Sequence, residues 1–407
     1  VTERFSALAN RDFTRLWAGL LLSNVGTWMQ NVARSWLIFQ LGKGDPLYLG
    51  LLGLSFAVPM VIVPPLGGAI ADRVDRVRLL YFTQTGSLLI AVILAILAWE
   101  NAIRPWHILG STFIGAVLLA FDNPARQALI GDILPRELLP NAVSLSAATF
   151  TGAALVGPAL AGILLDAVGA GWLFMLNAVS FVFVIGALFR LERRPPRANA
   201  KLTWSEALFG GARYVAGEQH LRIILLVAAV AALCARSYQQ MLPVFSAELW
   251  HSGASGYGVL LSAGGAGALA GALGLAARSH VRKTTHAFLL SGAVLAASLM
   301  AFALMPTLHL AAAALVVVGV SATIFTTMIA TVIQLEVPSA FRGRVLGLYT
   351  ITLIGLPSLG SFGLAALARE TGVAQAVVAG AVVLLVGLAA SALPLLRPKD
   401  RSKAQSG

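Results

Sequence analysis

The chain predicts an all-α integral membrane protein: twelve transmembrane helices in two six-helix, pseudo-symmetric halves. Three observations carry this: composition, the length of the apolar runs, and the placement of lysine and arginine. Of 407 residues 58% are hydrophobic and 11% charged, and the mean hydropathy is +0.83. The apolar runs repeatedly reach the ~20 residues a helix needs to cross ~30 Å of hydrocarbon. They are continuous rather than ten-residue alternations, so each span satisfies its own backbone as a helix, not as a barrel strand.

Taken in order, the first run, 14–40, follows Arg4, Arg11 and Arg15. It lacks a short apolar core with a small-residue cleavage site and is expected to be a retained helix rather than a signal peptide. Lys43 separates it from 47–71, and Arg73, Arg76 and Arg78 separate that run from 79–99. Arg104 precedes 106–125, Arg126 and Arg136 precede 141–165, and 170–190 completes the first six. The second six are 221–248, 256–277, 285–305, 308–332, 344–367 and 373–396; Arg278, Arg282 and Lys283 divide the second from the third, Arg342 and Arg344 enter the fifth, and Arg369 follows it.

With the N-terminus inside, 24 of the 29 basic residues fall in cytoplasmic segments and only Lys43, Arg104 and Arg369 outside; Arg34 and Arg236 lie within helices. This asymmetry follows the positive-inside rule and places both termini in the cytoplasm. The net charge of +12 is therefore spread over loops facing anionic lipid, which argues against nucleic-acid binding. The single cysteine, Cys234, has no intrachain partner and reads as a small buried apolar residue before a reactive one.

The polar stretch from Glu192 to Leu221 divides six spans from six. The expected organisation is an N-terminal bundle (1–191), a cytoplasmic linker (192–220), a C-terminal bundle (221–397) and a short tail (398–407). Within the linker, Trp204 to Phe209 suits either an interfacial helix or a simple tether. Pro135-Arg136 entering span five corresponds to Pro338-Ser339 entering span eleven, 203 residues later, and Gly157 matches Gly360 at the same offset. Parallel repeats of this kind place a substrate site near the midplane and allow it to face each side in turn.

Gly68, Ala71, Asp72, Arg73, Arg76 and Arg78 resemble the loop signature between helices two and three of the major facilitator superfamily, with Asp75 where that family has glycine. Asn10 to Trp17, Ser23 to Gln30, Asn123 to Leu129 and Pro338 to Arg344 resemble its enterobactin-exporter-like branch. The resemblance implies solute export, as drug/proton antiport or siderophore release, without a cofactor and without naming the solute. Thr27 stands where many relatives carry a helix-one aspartate. In the second-half counterpart of the loop, Gly274 to Lys283, Arg278 stands where the first half has Asp72.

A gate centred on Asp72 follows from the same resemblance, which implies that Asp72 faces the N-terminal end of helix eleven near Arg344, where the helix dipole is positive. The competing reading is a plain topogenic loop. Asp122, ~24 Å along a ~30 Å core counted from Trp106, is either a latch partner for Arg76 or a proton site. Asn24, Thr27, Gln30, Asn31 and Arg34 recur at helical spacing on span one, either lining a cavity or holding helices together; Arg34 could also snorkel outward. Arg236, followed by Gln239, Gln240 and the helix-breaking Pro243, requires a counter-ion, a substrate or water, because a charge at membrane depth costs about 2.5 to 3.5 kcal/mol. Thr323 and Thr327 offer hydroxyls on span ten, although threonines commonly bond their own helix.

Gly152, Gly157, Pro158 and Gly162, with Gly355, Pro357 and Gly360, permit close helix approach or bending. The six histidines are scattered, with no His-Glu-x-x-His or Walker sequence, so no metal site, nucleotide-driven transport or enzymatic reaction is expected. The expectation is a monomeric exporter of amphipathic organic solutes in a bacterial inner membrane, exchanging them with protons; facilitated passage or import of a small polar metabolite is the alternative the same fold supports.

Overall fold

The computed structural model describes residues 2–64, 74–191, 212–277 and 284–396. Twelve helical segments run in the expected order: α1 (Arg11–Leu41), α2 (Leu47–Ile62), α3 (Arg76–Trp99), α4 (Pro105–Ile133), α5 (Leu139–Val168), α6 (Ala170–Phe189), α7 (Gln219–Leu249), α8 (Gly253–Ala276), α9 (Thr284–Ala303), α10 (Leu308–Glu336), α11 (Ser339–Thr371) and α12 (Val373–Leu396). Ten of them are long and apolar enough to cross a membrane by length and composition. The other two are α1, whose polar stripe lowers its hydropathy, and α2, described for 16 residues.

Several helices outrun their apolar cores because polar ends continue the helix and cap it. Asn10 begins α1 three residues before Phe13, its side chain accepting from the backbone N–H of Asp12 and Phe13, each at 3.0 Å. Such a cap satisfies donors that helix geometry leaves orphaned. Gly169 and Gly372, at φ +79° and +92°, end α5 and α11 in backbone conformations that suit glycine. Of the linker, 192–211 lies outside the described residues, including the possible interfacial helix at 204–209; Tyr214 stacks on Phe341 at 4.8 Å.

Packing is pseudo-symmetric. In the first half α1 lies on α5 and α6, α4 on α2 and α3, and α3 on α6. Six helices later, α7 lies on α11 and α12, α10 on α8 and α9, and α9 on α12. The halves join through two equivalent crossings, α5 with α8 and α2 with α11. Both use small residues: a side chain at Gly162 would stand 2.9 Å from the Ala254 carbonyl oxygen, and one at Gly50 2.9 Å from the Phe362 Cα. In an apolar medium such close backbone approach supplies the van der Waals contact that holds helices together.

The matched glycines of the repeat have matched jobs. Gly157 lets α5 approach α1, where a side chain would stand 2.6 Å from the Trp28 Cβ; Gly360 lets α11 approach α7, where it would strike the Leu233 carbonyl oxygen and the Ser237 hydroxyl. Gly152, by contrast, faces open space. Gly360→Val should therefore lower the thermal transition of the detergent-purified protein by the equivalent of about 1–3 kcal/mol, an overpacking cost. Gly152→Ala should change it by less than about 0.5 kcal/mol.

Candidate functional site

Pro243 lacks the N–H that would continue the α-helical ladder, and α7 is irregular through its whole second half. A π-helical turn at Ala231–Ala235 is followed by a 3-10 turn at Arg236–Met241 and a second π turn at Phe245–Leu249. Ser237 partly repairs the damage. Its hydroxyl lies 2.7 Å from the Leu233 carbonyl and 2.9 Å from that of Pro357 on α11. A side chain at Gly380 of α12 would stand 2.6 Å from the Cys234 carbonyl oxygen, so glycines of two neighbours accommodate the widened turn. Sequence reading anticipated a break at Pro243 but not the π turn before it, a feature frequent at functional sites.

Arg236 sits just past that turn. It is partly buried and lines a small recess with Ala228, Ala232, Phe325, Thr326 and Leu353. Arg34 on α1 is only 9% exposed, and its Nε is buried without a hydrogen-bond partner. Among the described residues neither guanidinium has a carboxylate within ion-pair distance. Arg34 is thus enclosed, not snorkelling. The sequence carried an unused signal for this pairing: Ala33-Arg34-Ser35-Trp36 recurs as Ala235-Arg236-Ser237-Tyr238, 202 residues on.

The remainder of the α1 stripe splits. Asn24 and Thr27 are half-buried and Asn31 is exposed. Gln30 departs from the cavity expectation: it is buried against α6, where Asn177 Nδ2 donates to its Oε1 at 2.9 Å. One face of α1 is therefore helix-packing glue and the other remains open. On α10, Thr327 is exposed and Thr323 half-buried, near Gly271 of α8. Thr326 bonds its own helix at Ala322 (2.9 Å). Gln239 is exposed and Gln240 half-buried on the irregular turn of α7.

At the end of the bundle bearing the termini, Gly68, Asp72 and Arg73 lie outside the described residues. The expected pairing of Arg76 with Asp122 is not the one formed. Arg76, at the start of α3, pairs with Asp132 near the end of α4. Asp122, one helical turn from Arg126, pairs with that arginine and also accepts from Thr83 Oγ1 (2.9 Å) and Gln84 Nε2 (2.6 Å). The i, i+4 spacing within α4 gives Asp122 a nearer cation than Arg76. Arg78 is exposed, and Arg344 lies 5.7 Å from the ring of Phe341, in cation–π range.

The opposite end is sealed. Trp36 of α1 stacks on Tyr257 of α8 at 6.5 Å. Arg369 approaches Asp45 at 3.9 Å. Asp166, the last carboxylate of α5, accepts from the backbone N–H of Ser255 at 3.0 Å and so caps the first turn of α8 in the other half. Pro158 and Gly162 lie in the same crossing, against Gly258; Gly355 meets Val61, and the Pro357 carbonyl receives Ser237. Asp166 was not singled out from sequence, although it is an acid at the end of an apolar span.

Two helical halves that pack as repeats, closed together at one end, are the architecture of a secondary transporter. The chain belongs to the transmembrane secretion effector family of the major facilitator superfamily, whose model matches residues 2–406; it is a multi-pass membrane transporter, not an enzyme. It is 27% identical to the enterobactin exporter EntS of Escherichia coli O1:K1 over 333 residues, 79% of this chain and 77% of that protein. It is 31% identical to the staphyloferrin A transporter of Staphylococcus aureus over 111 residues, 27% of this chain and 28% of that protein. A match to the transporter YkuC of Bacillus subtilis, at 26% identity, spans 48% of this chain and 45% of that one. The chain thus matches less than half the length of the latter two. In fold it is similar to the nucleoside transporter NupG (TM-score 0.76, 14% identity, 95% of this chain and 100% of that one). It is similarly close to a bacterial homologue of the lysosomal transporter Spinster (TM-score 0.69, 18% identity, 94% and 96%).

Loss of the cap on α8 should loosen the sealed end. In a background with Cys234→Ala, a cysteine placed at Ser255 is expected to react slowly with a membrane-impermeant maleimide, and Asp166→Asn to raise that rate severalfold. An unchanged rate would show that the cap does not hold this end closed.

Proposed function

We propose that this chain exports amphipathic organic solutes, siderophore-like metabolites and drugs among them, in exchange for protons. Two bundles, 1–191 and 221–397, would rock about the crossings α5–α8 and α2–α11. The observation that supports this most directly is the contrast between the two ends of the bundle. The end away from the termini is closed by Trp36, Tyr257, Asp166 and Ser255. At the terminus end the first half keeps its own core, of Phe13, Leu16, Leu80, Leu129 and Leu188, and α4 makes no extensive contact with α10 or α11 among the described residues. With both termini cytoplasmic, this contrast supports a bundle poised to load from inside. Similarity to an exporter over 79% of the chain favours the outward direction, and the inner membrane of a bacterium is the proposed location, with the protein acting as a monomer.

The terminus-end gate is assigned to Gly68, Asp72, Arg73 and Arg78 with the start of α11 around Arg344. Arg76 acts in it by holding α3 to α4 through Asp132. Asp122 is assigned to a structural network, since its carboxylate already has three donors; the proton carrier is left to a group outside that network. Everted vesicles containing the chain should accumulate an amphipathic dye when acidified inside and lose it when the gradient is collapsed. Accumulation indifferent to both pH gradient and membrane potential would argue against antiport. Asp72→Asn should cut the transport rate at least tenfold at normal expression, and unchanged efflux would remove the gate assignment.

A further inference from the structure

A parallel repeat relates its halves by an axis along the membrane normal, so equivalent residues lie at equal depth on opposite walls. Arg34 and Arg236 stand in such positions, each inside an Ala-Arg-Ser-aromatic tetrapeptide on the first helix of its half. The neighbours of each tetrapeptide are already committed. Trp36 stacks on Tyr257, Tyr238 packs on Phe302 at 5.9 Å, and Ser237 reaches Pro357. Among the described residues neither arginine has a carboxylate within ion-pair distance. Arg34 is nine-tenths buried with its Nε unsatisfied, and Arg236 opens onto a recess of alanines, Phe325, Leu353 and Thr326.

The acids nearest the two crossings are engaged elsewhere. Asp122 is held by Arg126, Asp166 by the backbone of Ser255, and Asp45 lies near Arg369. A guanidinium in a low-dielectric interior calls for an anion, and its planar fork suits carboxylate and related oxygen anions. The recess beside Arg236 is lined by alanines, Phe325 and Leu353, so the surroundings of that charge are apolar.

We propose that Arg34 and Arg236 are the anion contacts of the substrate site, one from each half, and that the transported solutes are amphipathic acids bearing carboxylate or related oxygen anions. This rests on the transporter function proposed above and narrows its substrate class. Because one contact lies on each half, an acid bound between them engages both bundles. Substrate charge, rather than shape alone, would then decide what is carried.

Two dyes sharing a xanthene ring system separate charge from shape: anionic 5-carboxyfluorescein and cationic rhodamine 6G. In proteoliposomes of the full chain under an imposed pH gradient, carboxyfluorescein should move at least tenfold faster. Arg34→Gln and Arg236→Gln should each lower that flux at least tenfold, mainly through a higher KM, while Arg34→Lys and Arg236→Lys retain part of it. A monodisperse size-exclusion profile controls for folding, and the lysine variants and the wild-type dye preference test the proposal should a glutamine variant misfold. Preferential transport of rhodamine 6G, or carboxyfluorescein flux unchanged in the glutamine variants, would overturn the anion assignment and leave export standing. Movement of neither dye would overturn both. Flux abolished by replacing gluconate with chloride would identify an inorganic ion as the occupant and also overturn the assignment.

Discussion

Close contact between glycine-lined helix faces at two places, α5 on α8 and α2 on α11, is the constraint around which the rest of the bundle is arranged. Within lipid there is little hydrophobic gain in bringing helices together, so association depends on how closely backbones approach. Gly50 and Gly53 against α11, and Gly162 and Gly258 between α5 and α8, provide that approach. Since each crossing joins one helix from either half, the same close contacts hold the two halves of the molecule together. The smaller contacts between the halves, Trp36 with Tyr257 and Arg369 with Asp45, lie beside these crossings.

The irregular α7 is the second organising feature. A π turn stacks an extra residue into the helix, releases carbonyls from their usual donors, and turns side chains away from the register of a straight helix. Here the freed carbonyl of Leu233 is taken up by Ser237 and the space beside it by Gly360. Arg236 follows directly. The distortion and the charge belong to one local solution, in which neighbouring helices carry glycine where α7 bulges.

Span number and order were legible because hydropathy and the distribution of basic residues both report on the membrane directly. Helix ends were less so. Asn10 and Pro338 start helices in polar sequence, outside the apolar runs, and capping is governed by local hydrogen bonding rather than hydropathy. Individual side chains divided by the same logic. The stripe from Asn24 to Arg34 was visible as a periodicity, yet Gln30 turned to Asn177, because one helix face can meet a neighbour and open space within a single turn. The Arg76–Asp132 pair was hidden because it depends on how α3 enters beside the end of α4. Asp166 was hidden because its partner is a backbone N–H, to which sequence identity gives no clue.

Asp166 has a broader consequence. It satisfies a helix terminus that belongs to the opposite bundle, so opening that end leaves a carboxylate and an N-terminal dipole to be solvated separately by water. Charge–dipole contacts of this kind are worth about 0.3–1 kcal/mol when exposed and weaken with salt. The closure at that end therefore includes a contribution small enough for thermal motion to reverse, and one that ionic strength at that face tunes.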